Sequence, residues 1–452
     1  MRRVPLSAVL VLAAATLAPA PLAAQALTRA EAVTAALNVN PDVVRAREDL
    51  NILEGLITEV KADAMPDIKF KANATRYRDP AFLNSPSFDG FPPELLDSLK
   101  PVAANLFDGA AEVKQTLYSF KVGRALRAAR LQRTLGQEEA RRVRQSIALE
   151  AVRAYNSLLA MKEYVRINQR TLEQKNEHLT NVRNRRAAGV ATELDVLRSE
   201  VDVENQRAML TRSEGRVDLA RATLNAVMLK PINAPIEPTD TLDGGPLPQS
   251  LEEALASAVA ERPEVKAATI DEKVRDEVIA IERAERMPIF DFNATYGWNV
   301  READNFFRND YSKWSTSLLV TVPIFDGGRS KGRIAQAQAQ RAKATQSRLA
   351  AENQVRLETT DAFDRLTVAG RLLRAADLNI TQAKRALDMT RANYGLGAAT
   401  LLDVTDAQQA LTEAERVRTD ALYDAADARA TLRYSMGLEP VEGVTGQTGG
   451  SK

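Results

Sequence analysis

The sequence predicts a mostly α-helical protein built from two repeats, each with a long helical hairpin and a small β-portion. One observation is the octet GVATELDV at 189–196, which recurs as GAATLLDV at 397–404 with six of eight positions identical. A second is a pair of proline-free stretches, roughly 124–187 and 329–393, that are rich in strong helix formers. The third is the alternation of apolar and polar residues before each stretch, which is typical of β-strands.

The N-terminal segment has the pattern of a secretory signal peptide. Arg2 and Arg3 precede an apolar run of ~13 residues, and Ala-Gln-Ala follows at 24–26. We expect cleavage after Ala26, since an uncleaved anchor would need ~20 apolar residues. No cysteine is available at the cleavage point, so N-terminal lipidation is not expected. The sequence therefore predicts an exported protein.

The duplication extends over both halves of the chain. TRAEAVTAALNVNPDV at 28–43 aligns with SLEEALASAVAERPEV at 250–265, and each predicts a first helix interrupted at a proline. A Pro/Gly-rich segment, which neither helix nor strand tolerates, separates the halves. The predicted divisions are a signal peptide at 1–26, repeat one at 27–230, a linker at 231–249, repeat two at 250–440 and a disordered tail at 441–452.

Alternating strands are predicted in both repeats and are clearest in the second. The hairpin expected over 289–323 places its large aromatic side chains on one face and polar residues on the other. These aromatic residues are Phe290, Phe292, Tyr296, Trp298 and Trp314. A weaker hairpin is predicted over 67–120, with a long external loop at 78–111 that contains a short helix at 94–99.

Two interpretations of the apolar strand face compete. An ordinary antiparallel sheet would bury this face and leave the other solvated. A transmembrane barrel wall would instead expose it to lipid, with the five aromatic residues as a girdle. We favour the membrane, because strands of ~10–12 residues have the length that a tilted spanning strand requires. Proline at 66, 288 and 323 also directs the helices away from the sheet, so no other element is expected to cover that face.

The predicted strands are too few to close a barrel in one chain. Four strands leave two open edges, and hydrocarbon does not tolerate unpaired backbone groups. The smallest closed single-chain barrels have about eight strands. Each chain is therefore expected to donate a third or a quarter of a barrel to a homo-oligomer.

The repeated octet is predicted to turn one helix into the next. Gly189 and Gly397 suit the left-handed position that ends a helix. Thr192 and Thr400 follow as N-caps, and an aspartate three residues later completes an approximate capping box. At ~1.5 Å per residue, each preceding stretch would form a helix ~90 Å long. The tips of these hairpins are predicted at 187–195 and 394–403.

Composition argues against several classes of function. The 61 Lys and Arg residues nearly cancel the 60 Asp and Glu residues, so no bulk positive field favours nucleic acid. The chain has no cysteine and one histidine, His178, which is expected to be a solvated surface residue. Little therefore remains for zinc binding or nucleophilic catalysis. Neither enzymatic activity nor a cofactor is expected.

The order, duplication and spacing of these motifs resemble the outer membrane efflux protein family of TolC-like channels. The resemblance covers essentially the whole chain after the signal peptide. It rests on the Asn40-Pro41 break in the first helix and on VPIFDGG at 322–328 between a strand and a helix. It also rests on the paired Gly-x-x-Thr-x-x-Asp-Val turns.

The resemblance implies a homotrimer whose chains each give four strands to a 12-stranded barrel in the outer membrane. The helical hairpins would continue this barrel as a periplasmic α-barrel of ~100 Å. The implied function is a passive exit duct for drugs, small molecules or proteins in a tripartite efflux pump or a type I secretion system. The implied partners are a periplasmic adaptor protein, an inner-membrane transporter of RND, ABC or MFS type, and outer membrane lipid.

The resemblance also assigns the octets to periplasmic tips that constrict the pore and meet the adaptor. Small residues there would let a partner backbone approach closely. Adaptor contact is expected at Gly189, Val190, Ala191, Thr192, Gly397, Ala398, Ala399 and Thr400.

Four residues at the tips are expected to constrict or gate the pore. Asp403 and Asp406 lie on one helix face, so a threefold axis would turn either into a ring of three carboxylates. In the opposing interpretation, Asp403 caps its helix and Asp406 is a solvated charge. The resemblance also implies a hydrogen bond between Tyr394 and Asp195 that holds the tip shut. Ala399 departs from the best-known member of the family, TolC, in which an arginine at the corresponding position contributes to the closing clamp.

The alternative function is a periplasmic coiled-coil structural or adaptor protein that carries a small soluble β-domain. Such a spacer would be soluble without detergent, whereas a membrane barrel would need detergent for extraction. The two functions are therefore separable by extraction alone.

Overall fold

The structure is a computed structural model that describes residues 25–79, 92, 94, 102–242 and 250–441. Nearly all of the predicted signal peptide, most of the 78–111 loop with its short helix, the end of the linker and the tail after Val441 lie outside the described residues. The predicted fold class is confirmed, since helix predominates and four strands form one sheet. In the part of the chain described, every helix is too short or too polar to span a bilayer.

The two repeats contain helices of matching length. Repeat one has α1 (Arg29–Val39), α2 (Pro41–Ala62), α3 (Phe120–Ala187) and α4 (Glu193–Val227), with 11, 22, 68 and 35 residues. Repeat two has α5 (Leu251–Glu261), α6 (Pro263–Ala284), α7 (Arg329–Gly395) and α8 (Leu401–Ser435), with 11, 22, 67 and 35 residues. Each interrupting proline is the first residue of a new helix. An N–H at that position has no partner within the helix, so proline, which lacks an N–H, costs no hydrogen bond there. At ~1.5 Å per residue, α3 and α7 are each ~100 Å long.

The chain folds into two compact units, and each takes residues from both repeats. Among the described residues, the first unit comprises those within 1–44, 144–257 and 358–452. The second comprises those within 45–143 and 258–357. The first unit contains both hairpin turns, and the second contains the four-stranded sheet.

A buried tyrosine ties the start of the described chain to the linker in the first unit. Strand β1 (Gln25–Leu27) pairs in parallel with β4 (Ile236–Pro238). The hydroxyl of the fully buried Tyr155 donates to the carbonyl of Leu27 at 2.8 Å and accepts from the backbone N–H of Thr239 at 3.2 Å. Burial raises the pKa of Tyr155, so this hydroxyl stays protonated and keeps its donor.

The sheet of the second unit is antiparallel and has the order β2-β3-β5-β6. Its strands are β2 (Asp67–Tyr77), β3 (Ala104–Ser119), β5 (Ile289–Val300) and β6 (Ser312–Thr321). Among the described strands, β2 and β6 each pair with one neighbour, so each has an open edge. The predicted four strands with two unpaired edges are therefore present.

Strand β3 begins earlier than the sequence indicates. Residues 104–111 belong to the strand, although we assigned them to the external loop: all of them pair with β2, and those from Phe107 onward also pair with β5. This segment contains Gly109, Ala110 and Ala111, whose small side chains give little contrast between apolar and polar positions. Pairing on both sides, rather than side-chain alternation, makes these residues a strand.

An aspartate shapes the turn between β6 and α7, where the motif VPIFDGG lies. The Asp326 carboxylate accepts from the backbone N–H of Gly328 at 3.0 Å and of Ser330 at 2.8 Å, and it also accepts from the Ser330 hydroxyl. Gly327 and Gly328 have φ angles of 65° and 86°, which residues with a Cβ rarely adopt. The motif therefore encodes a tight strand-to-helix turn.

Replacing Asp326 by alanine should destabilise the protein at neutral pH but not in strong acid. Hydrogen bonds from the Ser330 hydroxyl and then from backbone N–H groups lower the pKa of Asp326 from 3.8 to about 2. Because the folded state lowers this pKa, the carboxylate stabilises folding above about pH 4, and the contribution is lost as the pH falls to about 2. Urea unfolding midpoints of wild type and Asp326→Ala should converge across this range. A gap that stays constant would contradict the assignment.

The two repeats end their last helix in the same way but with different residues. At the end of α8, Gly437 has a φ of 74°, and the N–H of Leu438 donates to the carbonyl of Arg433 at 2.9 Å. At the end of α4 the equivalent position is Leu229, with a φ of 50°. A leucine in this left-handed conformation costs roughly 1–2 kcal/mol, a cost that glycine avoids.

Leu229→Gly should therefore stabilise the protein. Leu229 is 56% exposed, so little apolar burial is lost, and the relief of strain should exceed the extra unfolded-state entropy of glycine by up to ~1 kcal/mol. The expected result is a higher urea midpoint. Gly437→Ala is the matched control and should lower the midpoint, since it introduces a Cβ at the same backbone conformation. A lower midpoint for Leu229→Gly would show that the leucine side chain packs usefully.

Candidate functional site

Both long hairpins turn through the same backbone motif. In the first, the N–H of Val190 donates to the carbonyl of Arg185 at 3.0 Å, and that of Gly189 donates to Arg186 at 2.9 Å. In the second, Ala398 donates to Asn393 at 2.9 Å and Gly397 donates to Tyr394 at 3.1 Å. Gly189 and Gly397 have φ angles of 77° and 78°. Each glycine therefore ends its helix in the left-handed conformation that the octet predicts.

Both following helices begin with a complete capping box. The hydroxyl of Thr192 accepts from the N–H of Asp195 at 3.2 Å, and the Asp195 carboxylate accepts from the Thr192 N–H at 2.9 Å. Thr400 and Asp403 repeat this arrangement, at 3.3 and 2.7 Å. Hydrogen bonds from the threonine hydroxyl and N–H lower the pKa of both aspartates. Both carboxylates are thus ionised and already engaged within their own helix start.

Asp406 differs from Asp403 in its surroundings. It lies one turn further along α8, is exposed, and makes no hydrogen bond or ion pair with any residue that the structure describes. Its carboxylate is therefore free to face an aqueous space. The two aspartates share a helix face, as their spacing predicts, but only Asp406 keeps an unengaged carboxylate in the described chain.

Tyr394 contacts an arginine rather than Asp195. The guanidinium carbon of Arg185, near the end of α3, lies 4.8 Å from the centre of the Tyr394 ring, near the end of α7. Among the described residues, the side-chain hydrogen bonds of Asp195 all run to Thr192. The structure therefore joins the two hairpin ends through Arg185, a residue that the sequence pattern did not single out. An arginine among other polar residues of a helix gives no indication in the sequence that it contacts a tyrosine of the other hairpin.

The octet residues form an accessible surface at the hairpin ends. Gly189, Val190, Thr192, Gly397, Ala398 and Thr400 are exposed, while Ala191 and Ala399 are half-buried. Two large apolar side chains missed by sequence reasoning lie beside them. Leu396 is 82% exposed and Leu402 is 67% exposed. The ends of the two hairpins therefore present small residues together with two exposed leucines.

The two hairpins of one chain also contact each other along α3 and α8. Arg170 forms an ion pair with Glu415 at 2.9 Å, and the hydroxyls of Thr171 and Thr412 lie 3.3 Å apart. Leu401 packs against an apolar cluster of the first hairpin. His178, on α3, is half-buried rather than solvated, and burial lowers its pKa.

The register of the sheet places the five predicted aromatic residues on one face. Tyr296 lies opposite Trp314, and Phe290 and Phe292 lie opposite Val320 and Leu318. Directly opposite residues share a face, so this face is apolar across β5 and β6. Trp314 is 73% exposed, whereas Trp298 is half-buried beneath the rings of Phe306 and Phe307.

The other face of the sheet is polar. Asp108 of β3 accepts from the side chain of Asn299 at 3.1 Å and pairs with Lys313 at 2.5 Å. Thr116 donates to Asp291 at 2.8 Å. An apolar face that is largely uncovered, opposite a hydrogen-bonded polar face, is the pattern of a barrel wall between lipid and water.

The family model described as outer membrane efflux protein matches residues 32–228 and 254–438. Outer membrane protein OprJ of Pseudomonas aeruginosa is 26% identical over 385 residues, which cover 83% of this chain and 77% of OprJ. Outer membrane efflux protein BepC of Brucella suis is 25% identical, with 72% and 71% covered. Alkaline protease secretion protein AprF of Pseudomonas aeruginosa is 23% identical, with 72% and 68% covered.

Solved structures show the same fold. The outer membrane protein VceC of Vibrio cholerae has a TM-score of 0.75 at 19% identity, with 91% of this chain and 97% of VceC covered. The MtrE outer membrane channel of Neisseria gonorrhoeae, in its open state, has a TM-score of 0.74 at 19% identity, with 92% and 90% covered.

Proposed function

Because this chain belongs to the outer membrane efflux protein family, we propose that it assembles as a homotrimer into the outer membrane duct of an efflux pump or a type I secretion system. The family consists of channels in the outer membrane rather than enzymes. Its relatives include an outer membrane efflux protein and an alkaline protease secretion protein. The chain has no cysteine, so the proposed channel carries no lipidated N-terminal cysteine.

One observation carries the assembly of several copies: a sheet with an uncovered apolar face and two open edges. Backbone groups on those edges need partners in hydrocarbon, and a second copy supplies them when its β2 meets β6 of the first. Three copies, the number that membership of the family suggests, give 12 strands, which lies within the range of membrane barrels. The polar face would then line the duct, and Phe290, Phe292, Tyr296, Trp298 and Trp314 would belong to the lipid side.

The hairpin ends are the proposed docking surface for a periplasmic adaptor, which connects the duct to an inner-membrane transporter. The octets offer small residues at both turns, and Leu396 and Leu402 add exposed apolar area. An adaptor helix could approach the glycine backbone closely and bury these leucines. This surface supports a protein partner, because exposed apolar side chains and small residues stand together at both turns.

The same hairpin ends are the proposed constriction. Arg185 and Tyr394 tie the two hairpins of one chain, while Asp195 and Asp403 fix the starts of the helices that follow. Asp406 supplies the carboxylate of a threefold ring, because it is exposed and unengaged among the described residues. In this proposal the Arg185–Tyr394 contact takes the part of the closing-clamp arginine that TolC has where this chain has Ala399.

Cysteine cross-linking tests the assembly in a chain that has no native cysteine. Asn73→Cys in β2 is combined, one position at a time, with cysteines at the polar-face positions of β6 (313, 315, 317 and 319). At least one combination should give a covalent trimer on oxidation in detergent. The matched control is Asp108→Cys with Asn299→Cys, which lie opposite each other in one chain and should leave the mass of a monomer. A protein that stays monomeric and soluble without detergent would favour a periplasmic spacer instead.

A further inference from the structure

The loop between β5 and β6 folds back over the apolar face of the sheet. Gly109 lies directly opposite Trp298, so both belong to the apolar face. A Cβ built on Gly109 would lie 2.3 Å from the tip of the Phe306 ring. The ring therefore occupies the space that a side chain at position 109 would fill. Its placement shows that the loop crosses the outside of the sheet and not its polar side.

The loop holds its aromatic rings at a cost in backbone strain. Phe307 has a φ of 71°, in the left-handed region that favours glycine. Its ring nevertheless stays 67% exposed, while touching Trp298 at 5.0 Å and Phe306 at 4.8 Å between ring centres. Backbone strain of this kind persists only where the surroundings fix it, and it is enriched at functional positions. Because Phe307 is mostly exposed, burial against other described residues does not offset the strain of its backbone.

The position of these rings indicates lipid rather than a second subunit as their surroundings. Phe306 and Phe307 lie over β3 and β5, the two central strands, whereas a neighbouring copy would meet the edges β2 and β6. The apolar face continues from them to the exposed Trp314. The loop as a whole is not basic, because Glu302, Asp304 and Asp310 outnumber Arg301 and Arg308. Lipid is therefore indicated by the aromatic rings and by the apolar face that they extend.

We propose that the 301–311 loop is a membrane anchor, whose Phe306 and Phe307 insert into the interfacial region of the outer leaflet beside Trp298. Aromatic rings prefer this region, and Phe306 and Phe307 extend the apolar face of the sheet at the end of β5. The proposal rests on the proposed function, since it requires the apolar face to meet lipid. It adds that this loop points outward and leaves the duct opening clear.

Fluorescence quenching in liposomes tests the anchor, because the chain has only two tryptophans, at 298 and 314. The reporter is Phe307→Trp in a background with Trp298→Phe and Trp314→Phe. Phosphatidylcholine brominated near the glycerol end of its acyl chains should quench most of this emission, and aqueous iodide should quench little. The matched control is Asp304→Trp in the same background, which lies on the same loop, is exposed, and should respond mainly to iodide.

The outcomes separate this proposal from the function on which it rests. Trp314 alone, in a Trp298→Phe protein, reports whether the sheet meets lipid. If brominated lipid quenches Trp314 while iodide quenches Phe307→Trp, the loop lies in water and the anchor is overturned, although the channel stands. If Trp314 itself resists brominated lipid, the membrane placement of the sheet fails and the anchor fails with it. Migration of each variant as a trimer on unheated gels verifies folding.

Discussion

Arg185→Ala channels are expected to stay open far longer than wild-type channels in planar bilayers and to admit large antibiotics into cells. The guanidinium of Arg185 lies 4.8 Å from the Tyr394 ring centre and joins the ends of two hairpins. An exposed contact of this kind contributes ~0.5–1 kcal/mol, so three copies per trimer would contribute ~1.5–3 kcal/mol to the closed state. Their loss should raise the ratio of open to closed channels about tenfold to a hundredfold.

Neighbouring variants show whether this contact is the cause. Tyr394→Leu should open the channel as much as Arg185→Ala, and the double variant should add nothing, because both remove one interaction. Arg186→Ala is the matched control, since Arg186 pairs with Glu193 within the first hairpin. Its conductance should stay that of wild type. Equal leakage from Arg186→Ala and Arg185→Ala would mean that general loss of charge, not the ring contact, opens the tip.

Asp195→Asn separates this tie from the hydrogen bond between Tyr394 and Asp195 that the family pattern implies. Asparagine keeps a side-chain oxygen that can accept from the Thr192 N–H, so the tip should keep its shape and remain closed if Asp195 only completes the capping box of α4. If Asp195→Asn instead leaks as much as Tyr394→Leu, the result supports a direct hydrogen bond between Tyr394 and Asp195.

Local rules explain which parts of the tips were predictable from sequence. Gly189 and Thr192 act on backbone groups within a few residues of themselves, so their spacing alone predicts the helix end and the capping box. Arg185 and Tyr394 come from different repeats, and their contact depends on how α3 packs beside α7. No short-range pattern records that packing. The sequence therefore predicted the turns but not the tie between them.

In the sheet, too, local features were predictable from the sequence and tertiary contacts were not. Alternation around Phe290, Trp298 and Trp314 predicted one apolar face, because residues two apart in a strand share a side. The early start of β3 and the course of the 301–311 loop were not predictable, since both depend on tertiary pairing. In the sequence, Gly109 has the character of a turn residue. In the fold it lies within a strand, and the Phe306 ring occupies the space that a side chain at position 109 would fill.

Asp406→Asn is expected to remove most of the cation selectivity of the channel. A threefold axis would place three copies of this carboxylate around a narrow opening, where their fields add and attract cations. Neutral asparagine keeps the size of the side chain and removes the charge, so the reversal potential in a KCl gradient should move from the cation side toward zero. The shift should be large in dilute salt and small near 1 M, where the Debye length falls to ~3 Å.

Asp403→Asn is the matched control for the same measurement, one turn away on the same helix. The carboxylate of Asp403 accepts from the N–H and hydroxyl of Thr400, and asparagine keeps a side-chain oxygen that can accept these bonds. Selectivity should therefore change much less than in Asp406→Asn. If the two variants shift the reversal potential equally, both aspartates face the pore. The hydrogen bonds to Thr400 then do not prevent the charge of Asp403 from acting on permeating ions. If neither variant shifts it, the narrow point of the duct lies elsewhere, and α8 contributes shape rather than charge.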